Sequence, residues 1–182
     1  MANITLAVTG SISAYKAADL TSQLTKLGHK VTVLMSRSAM DFITPLTLQS
    51  LSKNLVHTDI MVEEDPSLIK HIDISKETDL FLVAPASANT IAKLAHGMAD
   101  NIVTATALAL PIGIPKLIAP AMNTNMYLNP ATQKNLNTLE VYGFDEVKPR
   151  EALLACGDFG TGALAEVTDI LEKVSNTLDE KK

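Results

Sequence analysis

The first thirty-five residues of the chain spell a strand, a helix and a second strand, and few folds can begin that way. Asn3 to Thr9 is apolar and strand-like, Gly10 and Ser11 interrupt it, and the helix that follows carries Leu20, Leu24 and Leu27 on one face. Gly28 closes that helix, since glycine enters the left-handed conformation of a helix C-terminus at little cost. Lys30 to Met35 then sets Val31, Val33 and Met35 in alternation. A crossover of this length joins parallel strands, and parallel strands need helices on both faces. Leu80 to Ala84 and Lys116 to Ala119 predict further short buried strands, each followed by a loop and a helix signal. The pattern predicts an α/β fold, a single-domain doubly wound parallel sheet over residues 1–182.

A chain of 182 residues buries a full core without disulfides or metals. Apolar residues make up 47% of it and charged ones 19%, with a mean hydropathy of +0.18. That leaves little polar surface for a lone monomer, so part of the apolar surface is expected between subunits. The net charge of −5, with no basic run beyond the terminal Lys181 and Lys182, argues against a nucleic-acid partner. Cys156 is the sole cysteine, which excludes an intrachain disulfide. No Cys/His spacing suits structural zinc, so no metal is expected, and the composition fits a reducing cytoplasm. The N-terminus lacks the basic region and cleavage site of a secretory signal. The apolar run from Ile102 to Met122 is interrupted by Pro111, Gly113, Pro115 and Lys116, which predicts a buried helix, a turn and a strand rather than a membrane span.

After Asn129 and Pro130 a helix is predicted to about Val141. A last helix is predicted from near Leu164, with Leu164, Val167, Leu171, Val174 and Leu178 on one stripe. Between them, 147–162 is rich in turn residues and lacks a period. In a compact domain such a stretch is either disordered or functional.

Ligands of such sheets sit beyond the carboxyl ends of the strands, so the loops there are the candidates. The first is Thr9-Gly10-Ser11-Ile12-Ser13-Ala14-Tyr15-Lys16. Gly10 allows a tight turn, and backbone N–H groups at the helix start can hold a phosphate. The later glycines of a dinucleotide fingerprint and the ending of a P-loop are absent, which leaves a mononucleotide phosphate or simply a capped helix. Ser36-Arg37-Ser38 follows the second strand and offers two hydroxyls to the same ligand, or another cap. In Pro85-Ala86-Ser87-Ala88-Asn89-Thr90 small residues admit a flat ring, while Ser87, Asn89 and Thr90 supply polar partners. In Pro120-Ala121-Met122-Asn123-Thr124-Asn125-Met126, Asn123 could hold a carboxylate or cap a helix. Met122 and Met126 there are either a soft wall or core filler. His71 and Cys156 stand outside these loops. Spacing assigns neither, although Cys156 lies in a glycine-rich segment where a lid would carry a proton donor.

Read together, these segments resemble the homo-oligomeric flavin-containing cysteine decarboxylases. The carrying pieces are Gly10-Ser11-Ile12, His71, Pro85 to Thr90, the Pro-Ala-Met-Asn-x-x-Met motif at Pro120 to Met126, and Ala155-Cys156-Gly157-Asp158. The last segment, with Gly160, Gly162 and Ala165-Glu166, resembles the phosphopantothenoylcysteine branch more than the lantibiotic-peptide branch. Two departures stand out: Tyr127 where many members have Trp, and Ala163 where many bacterial members have Arg.

The resemblance implies a Rossmann/flavodoxin-like fold, an FMN cofactor, and conversion of 4'-phosphopantothenoyl-L-cysteine to 4'-phosphopantetheine in coenzyme A biosynthesis. The cysteinyl side chain is oxidised to a thioaldehyde, CO₂ leaves as charge delocalises onto sulfur, and hydride and proton return to the enethiol. Gly10, Ser11, Ile12, Ser36, Ser38, Ser87, Ala88, Asn89, Thr90 and Ala121 are then expected around FMN. His71 is expected as base or substrate-positioning group, Asn123 on the carboxylate, Cys156 as proton donor, Met126 against the substrate, and Lys16 as a candidate for its phosphate. The 147–162 segment becomes a substrate clamp. The resemblance also implies a trimer or multiple of trimers with the flavin at a subunit boundary, and a separate phosphopantothenate-cysteine ligase upstream, since the fused synthetase of many bacterial members is missing. Three other functions are compatible with the resemblance: a decarboxylase of a peptide C-terminal cysteine, a flavin-binding phosphatase regulator, whose long acidic tail is missing here, and a prenyl-transferring flavin enzyme, which has no call for Cys156.

Overall fold

The structure, a computed structural model, describes residues 1–62 and 69–180. Six strands, β1 (Asn3–Val8), β2 (Lys30–Met35), β3 (Val56–His57), β4 (Leu80–Ala86), β5 (Lys116–Pro120) and β6 (Phe144–Glu146), form one parallel sheet in the order β3-β2-β1-β4-β5-β6. The order reverses between β1 and β4, which is the switch point of a doubly wound sheet. The helices are α1 (Lys16–Lys26), α2 (Pro45–Ser52), α3 (Lys70–Glu77), α4 (Ala88–Ala95), α5 (Ile102–Leu108), α6 (Thr124–Leu128), α7 (Pro130–Val141) and α8 (Val167–Asp179). A separate antiparallel hairpin, β7 (Arg150–Leu153) and β8 (Phe159–Ala163), lies outside the sheet.

Strand side chains alternate between two cores because successive Cβ atoms point to opposite faces. Ile4, Leu6, Val8, Val31, Val33, Met35, Leu80, Leu82 and Leu117 pack with Leu20 and Leu24 of α1, Leu48 of α2 and Ile170 and Val174 of α8. Ala7, Leu34, Phe81, Val83 and Ile118 pack on the other face with Ile91 of α4, Ile102 of α5 and Leu136 of α7. Phe81 is fully buried, and its truncation to Ala is expected to cost about 3–5 kcal/mol. Buried polar groups in β1 are satisfied: Thr5 Oγ1 pairs with Thr78 Oγ1 at 2.7 Å, and Thr78 Oγ1 also donates to the Ile74 carbonyl at 2.6 Å.

Two expectations need correction. The last helix begins at Val167, not near Leu164: Leu164 and Ala165 are buried ahead of it, and Glu166 at its N-cap is extended (φ −63°, ψ 147°). β4 continues to Ala86 and β5 to Pro120, past the predicted ends at Ala84 and Ala119. The run from Ile102 to Met122 is α5, a turn and β5, and among the described residues no helix is long and apolar enough to cross a membrane.

Candidate functional site

Loops leaving the carboxyl ends of β1, β4 and β5 meet at the switch point. Thr9, fully buried, joins two of them: its hydroxyl donates to the Pro85 carbonyl at 2.7 Å and accepts from the Ser87 N–H at 2.8 Å. A Cβ at Gly10 would lie 2.3 Å from Ser38 Oγ, so only glycine lets the first loop pass under the Ser36–Ser38 turn. Ser11 caps the 3-10 turn Ile12–Tyr15 by accepting from the Ser13 N–H at 3.3 Å, and that turn runs into α1. Ser87 caps α4, accepting from the Thr90 N–H at 3.3 Å and donating to Thr90 Oγ1 at 3.2 Å. Asn123 caps α6, its Oδ1 accepting from the Asn125 N–H at 2.9 Å. The helix N-termini gathered here make this end of the sheet favourable for anions.

The β7–β8 hairpin arches over these loops and encloses a cleft of about 460 Å³. Two glycines set its approach. Gly162 has φ +154°, a Cβ on it would lie 2.2 Å from the Met122 carbonyl oxygen, and its own carbonyl accepts from the Met122 N–H at 2.9 Å. A Cβ on Gly160 would lie 2.6 Å from Thr124 Oγ1. At the tip the Leu154 N–H donates to the Asp158 carbonyl and the Gly157 N–H to the Leu154 carbonyl, both at 2.8 Å, with Gly157 at φ +90°. Cys156 is exposed on that tip. Asn123 Nδ2 donates to its sulfur at 3.4 Å, and the thiol donates to Asp158 Oδ2 at 3.4 Å.

The cleft brings together Gly10, Ser11, Ile12, Lys16, Ser87, Ala88, Ala121, Asn123, Met126 and Cys156, ten of the residues singled out in the sequence. Ser36, Ser38, Asn89, Thr90 and His71 do not line it. Ser36 and Ser38 pair with each other at 3.2 Å beside Gly10, Thr90 is buried under the α4 cap, and Asn89 faces solvent. His71 lies in the first turn of α3, half-buried, with Nδ1 enclosed and lacking a hydrogen-bond partner among the described residues. Tyr15, Arg150, Leu153, Leu154 and Ala163 also line the cleft: Tyr15 belongs to the first candidate loop, Arg150, Leu153 and Leu154 to the expected clamp segment 147–162, and Ala163 is one of the two departures from the family, but none was singled out as a site residue. Most sit on the hairpin, whose turn chemistry at Gly157-Asp158 was the available signal. Arg150 stands directly across from Ala163 in the hairpin register. Tyr127 lies just beyond the cleft: its hydroxyl donates to Glu146 Oε1 at 2.9 Å, and burial together with that carboxylate pushes the phenol up to about 12.

The flavoprotein family model matches residues 1–179. The chain belongs to the flavoprotein family. It is 59% identical over 175 residues, 96% of this chain and 98% of the relative, to a probable phosphopantothenoylcysteine decarboxylase of Streptococcus mutans. It is 46% identical over 170 residues to a coenzyme A biosynthesis bifunctional protein of Bacillus subtilis, covering 93% of this chain but 41% of that protein. Among solved structures it is similar to a PPC decarboxylase mutant, serine replacing a cysteine, in complex with pantothenoylaminoethenethiol (TM-score 0.88, 30% identity, 98% of each chain).

The residues of this flavoprotein suit a flavin. Gly10, Ser11, Ser87, Ala88 and Ala121 give the cleft floor no bulky side chain, so a planar ring can lie on backbone. Ile12, Tyr15 and Met126 line the cleft while 57%, 61% and 49% exposed, which leaves apolar surface to cover such a ring. Among the described residues no cluster of His, Cys, Asp and Glu could hold a metal ion.

Proposed function

We propose that this chain is an FMN-dependent decarboxylase that converts 4'-phosphopantothenoyl-L-cysteine to 4'-phosphopantetheine in coenzyme A biosynthesis. One observation carries the reading: the Cys156 thiol and the Asn123 amide meet at 3.4 Å above a floor of small residues. A proton donor and a carboxylate-binding group therefore face one flat site. The resemblance of the cleft motifs and the named relatives support the same assignment. FMN, when bound, supplies the electron sink for the cysteinyl side chain and takes up and returns its hydride.

The chain's own groups divide the remaining work. Asn123 has two amide N–H donors and one carbonyl oxygen. Its oxygen is held by the Asn125 N–H and one donor meets the Cys156 sulfur, so the second donor is available to the substrate carboxylate. That grip orients the carboxylate until it leaves as CO₂. The Cys156 thiol then delivers its proton to the carbon of the enethiol, and its exposure lets water restore the proton. Gly10 to Ser13 and, at the start of α4, Ser87 and Ala88 would hold the flavin, with helix N-termini favouring its phosphate. Ser36 and Ser38 support that site by closing against Gly10.

His71 serves as the base or positioning group of the first step, and it reaches the cleft from a neighbouring copy. Its own cleft does not contain it, and Met61, Val62 and Ile69 are exposed apolar side chains near it in the sequence. A trimer or multiple of trimers, with the flavin at the boundary, covers them. Two measurements test the function: the absorption spectrum of the purified protein with mass analysis of any cofactor it releases, and assay of 4'-phosphopantothenoyl-L-cysteine beside a peptide ending in cysteine. Turnover of the peptide alone would overturn the substrate assignment.

A further inference from the structure

We propose that Arg150 and Lys16 form an anion subsite at the cleft mouth that takes the phosphate monoester end of the substrate, an assignment that rests on the decarboxylase reading above. Both side chains line the cleft, one from the first residue of β7 and the other from the first residue of α1. Glu166 lies between them. Its Oε2 is 3.4 Å from Lys16 Nζ and its Oε1 is 2.9 Å from Arg150 Nε. The Nε–H of Arg150 is enclosed, yet it is not aimed well enough at that carboxylate to form a hydrogen bond and has no other partner among the described residues. The contact is therefore a charge pair that leaves donors unused.

Lys16 and Arg150 are the charged residues that line the cleft, and with Glu166 between them this edge carries two positive charges and one negative in a chain whose total is −5. The two acids of the hairpin, Glu151 and Asp158, do not line the cleft. A guanidinium offers a planar fork to an anion and an ammonium a point charge, and together they match a phosphate dianion better than a single carboxylate. Position supports the same division. Arg150 is at the base of the hairpin and Cys156 at its tip, so an elongated substrate can place its carboxylate at Asn123 and its opposite, phosphorylated end between Lys16 and Arg150. Ala163, facing Arg150 across the hairpin, leaves room for the guanidinium over the cleft.

The test compares 4'-phosphopantothenoyl-L-cysteine with its unphosphorylated counterpart, pantothenoyl-L-cysteine, using FMN-loaded protein. Calorimetric binding of 4'-phosphopantetheine against pantetheine gives a readout independent of turnover. Arg150→Met is expected to lower the preference for the phosphorylated substrate, as a ratio of kcat/KM, by about tenfold or more, mostly through KM, and to lower the binding preference alike. Flavin content should stay at the wild-type level. The pair R150A with A163R moves the guanidinium to the facing strand and is expected to restore the preference, which a merely structural role for Arg150 would not produce. An unchanged ratio in R150M, or loss of flavin instead of phosphate preference, overturns the subsite alone. Wild-type protein that decarboxylates neither compound overturns the function and the subsite with it.

Discussion

The side-chain amide of Asn123 donates to the thiol of Cys156 across 3.4 Å although 33 residues separate them in the chain. The contact closes a β-hairpin onto the loop after β5 and so puts a proton donor over the end of a parallel sheet, where such folds bind ligands. Because the hairpin is held at its base by backbone and glycine contacts rather than by Cys156, the thiol can be altered without dismantling the site.

Cys156→Ser should therefore fold, bind FMN and release CO₂, yet accumulate the enethiol, because a hydroxyl is a far weaker acid than a thiol. Mass spectrometry of a quenched reaction checks this. Full production of 4'-phosphopantetheine by the variant would remove Cys156 from the role of proton donor.

Gly162→Ala should destabilise the hairpin and lower activity. The added methyl meets the Met122 carbonyl oxygen at 2.2 Å in a backbone conformation that side chains avoid. Relief requires the hairpin to shift, at a cost of about 1–3 kcal/mol. Urea unfolding together with turnover checks this, and a wild-type midpoint with wild-type turnover would contradict the contact.

His71→Asn should fold and hold flavin but fail at the first step. If a neighbouring copy supplies His71, co-refolding this variant with Cys156→Ser should recover part of the activity in mixed oligomers, since some clefts then pair an intact Cys156 with an intact His71. Complete absence of recovery in oligomers shown to be mixed would place His71 outside the neighbour's site.

Much of the frame was legible because its signals are local and strong. The strand at Asn3–Val8, expected to run one residue further to Thr9, follows from an apolar run, Lys30 to Met35 from alternation, and the helix at Pro130–Val141 from an N1 proline behind an Asn cap. β3 and β6 were not foreseen: at two and three residues they are too short to carry a period. The hairpin escaped for a different reason. β7 alternates between partly and fully exposed positions, as at Ala152 and Leu153, and β8 runs from exposed Phe159 to buried Gly162 with two glycines, so no apolar rhythm marks them. The helix after Glu166 was placed too early because Leu164 continues its apolar stripe in spacing while packing into the core from ahead of the helix. Among site residues, those on loops after β1, β4 and β5 were readable from turn chemistry. Arg150 was not, since its place depends on pairing with β8.

Tyr127 should titrate late. Burial and Glu146 raise its phenol to about 12, so the folded state holds the proton more tightly than the unfolded chain. Its contribution is complete below the ordinary tyrosine value near 10 and is lost as pH rises toward about 12. Spectrophotometric titration of the three tyrosines should show one late transition that Tyr127→Phe deletes, and the stability advantage of wild type over that variant should shrink across the same interval. A late transition that survives in Tyr127→Phe would contradict the assignment.

The most direct test is anaerobic reaction of the FMN-loaded protein with excess 4'-phosphopantothenoyl-L-cysteine in the absence of any external electron acceptor, followed by flavin absorbance and mass analysis of the product. The account predicts many equivalents of CO₂ and 4'-phosphopantetheine per flavin, with the flavin oxidised again when substrate is exhausted. Protein that takes up no flavin, or that carries it and leaves this substrate untouched, would contradict it.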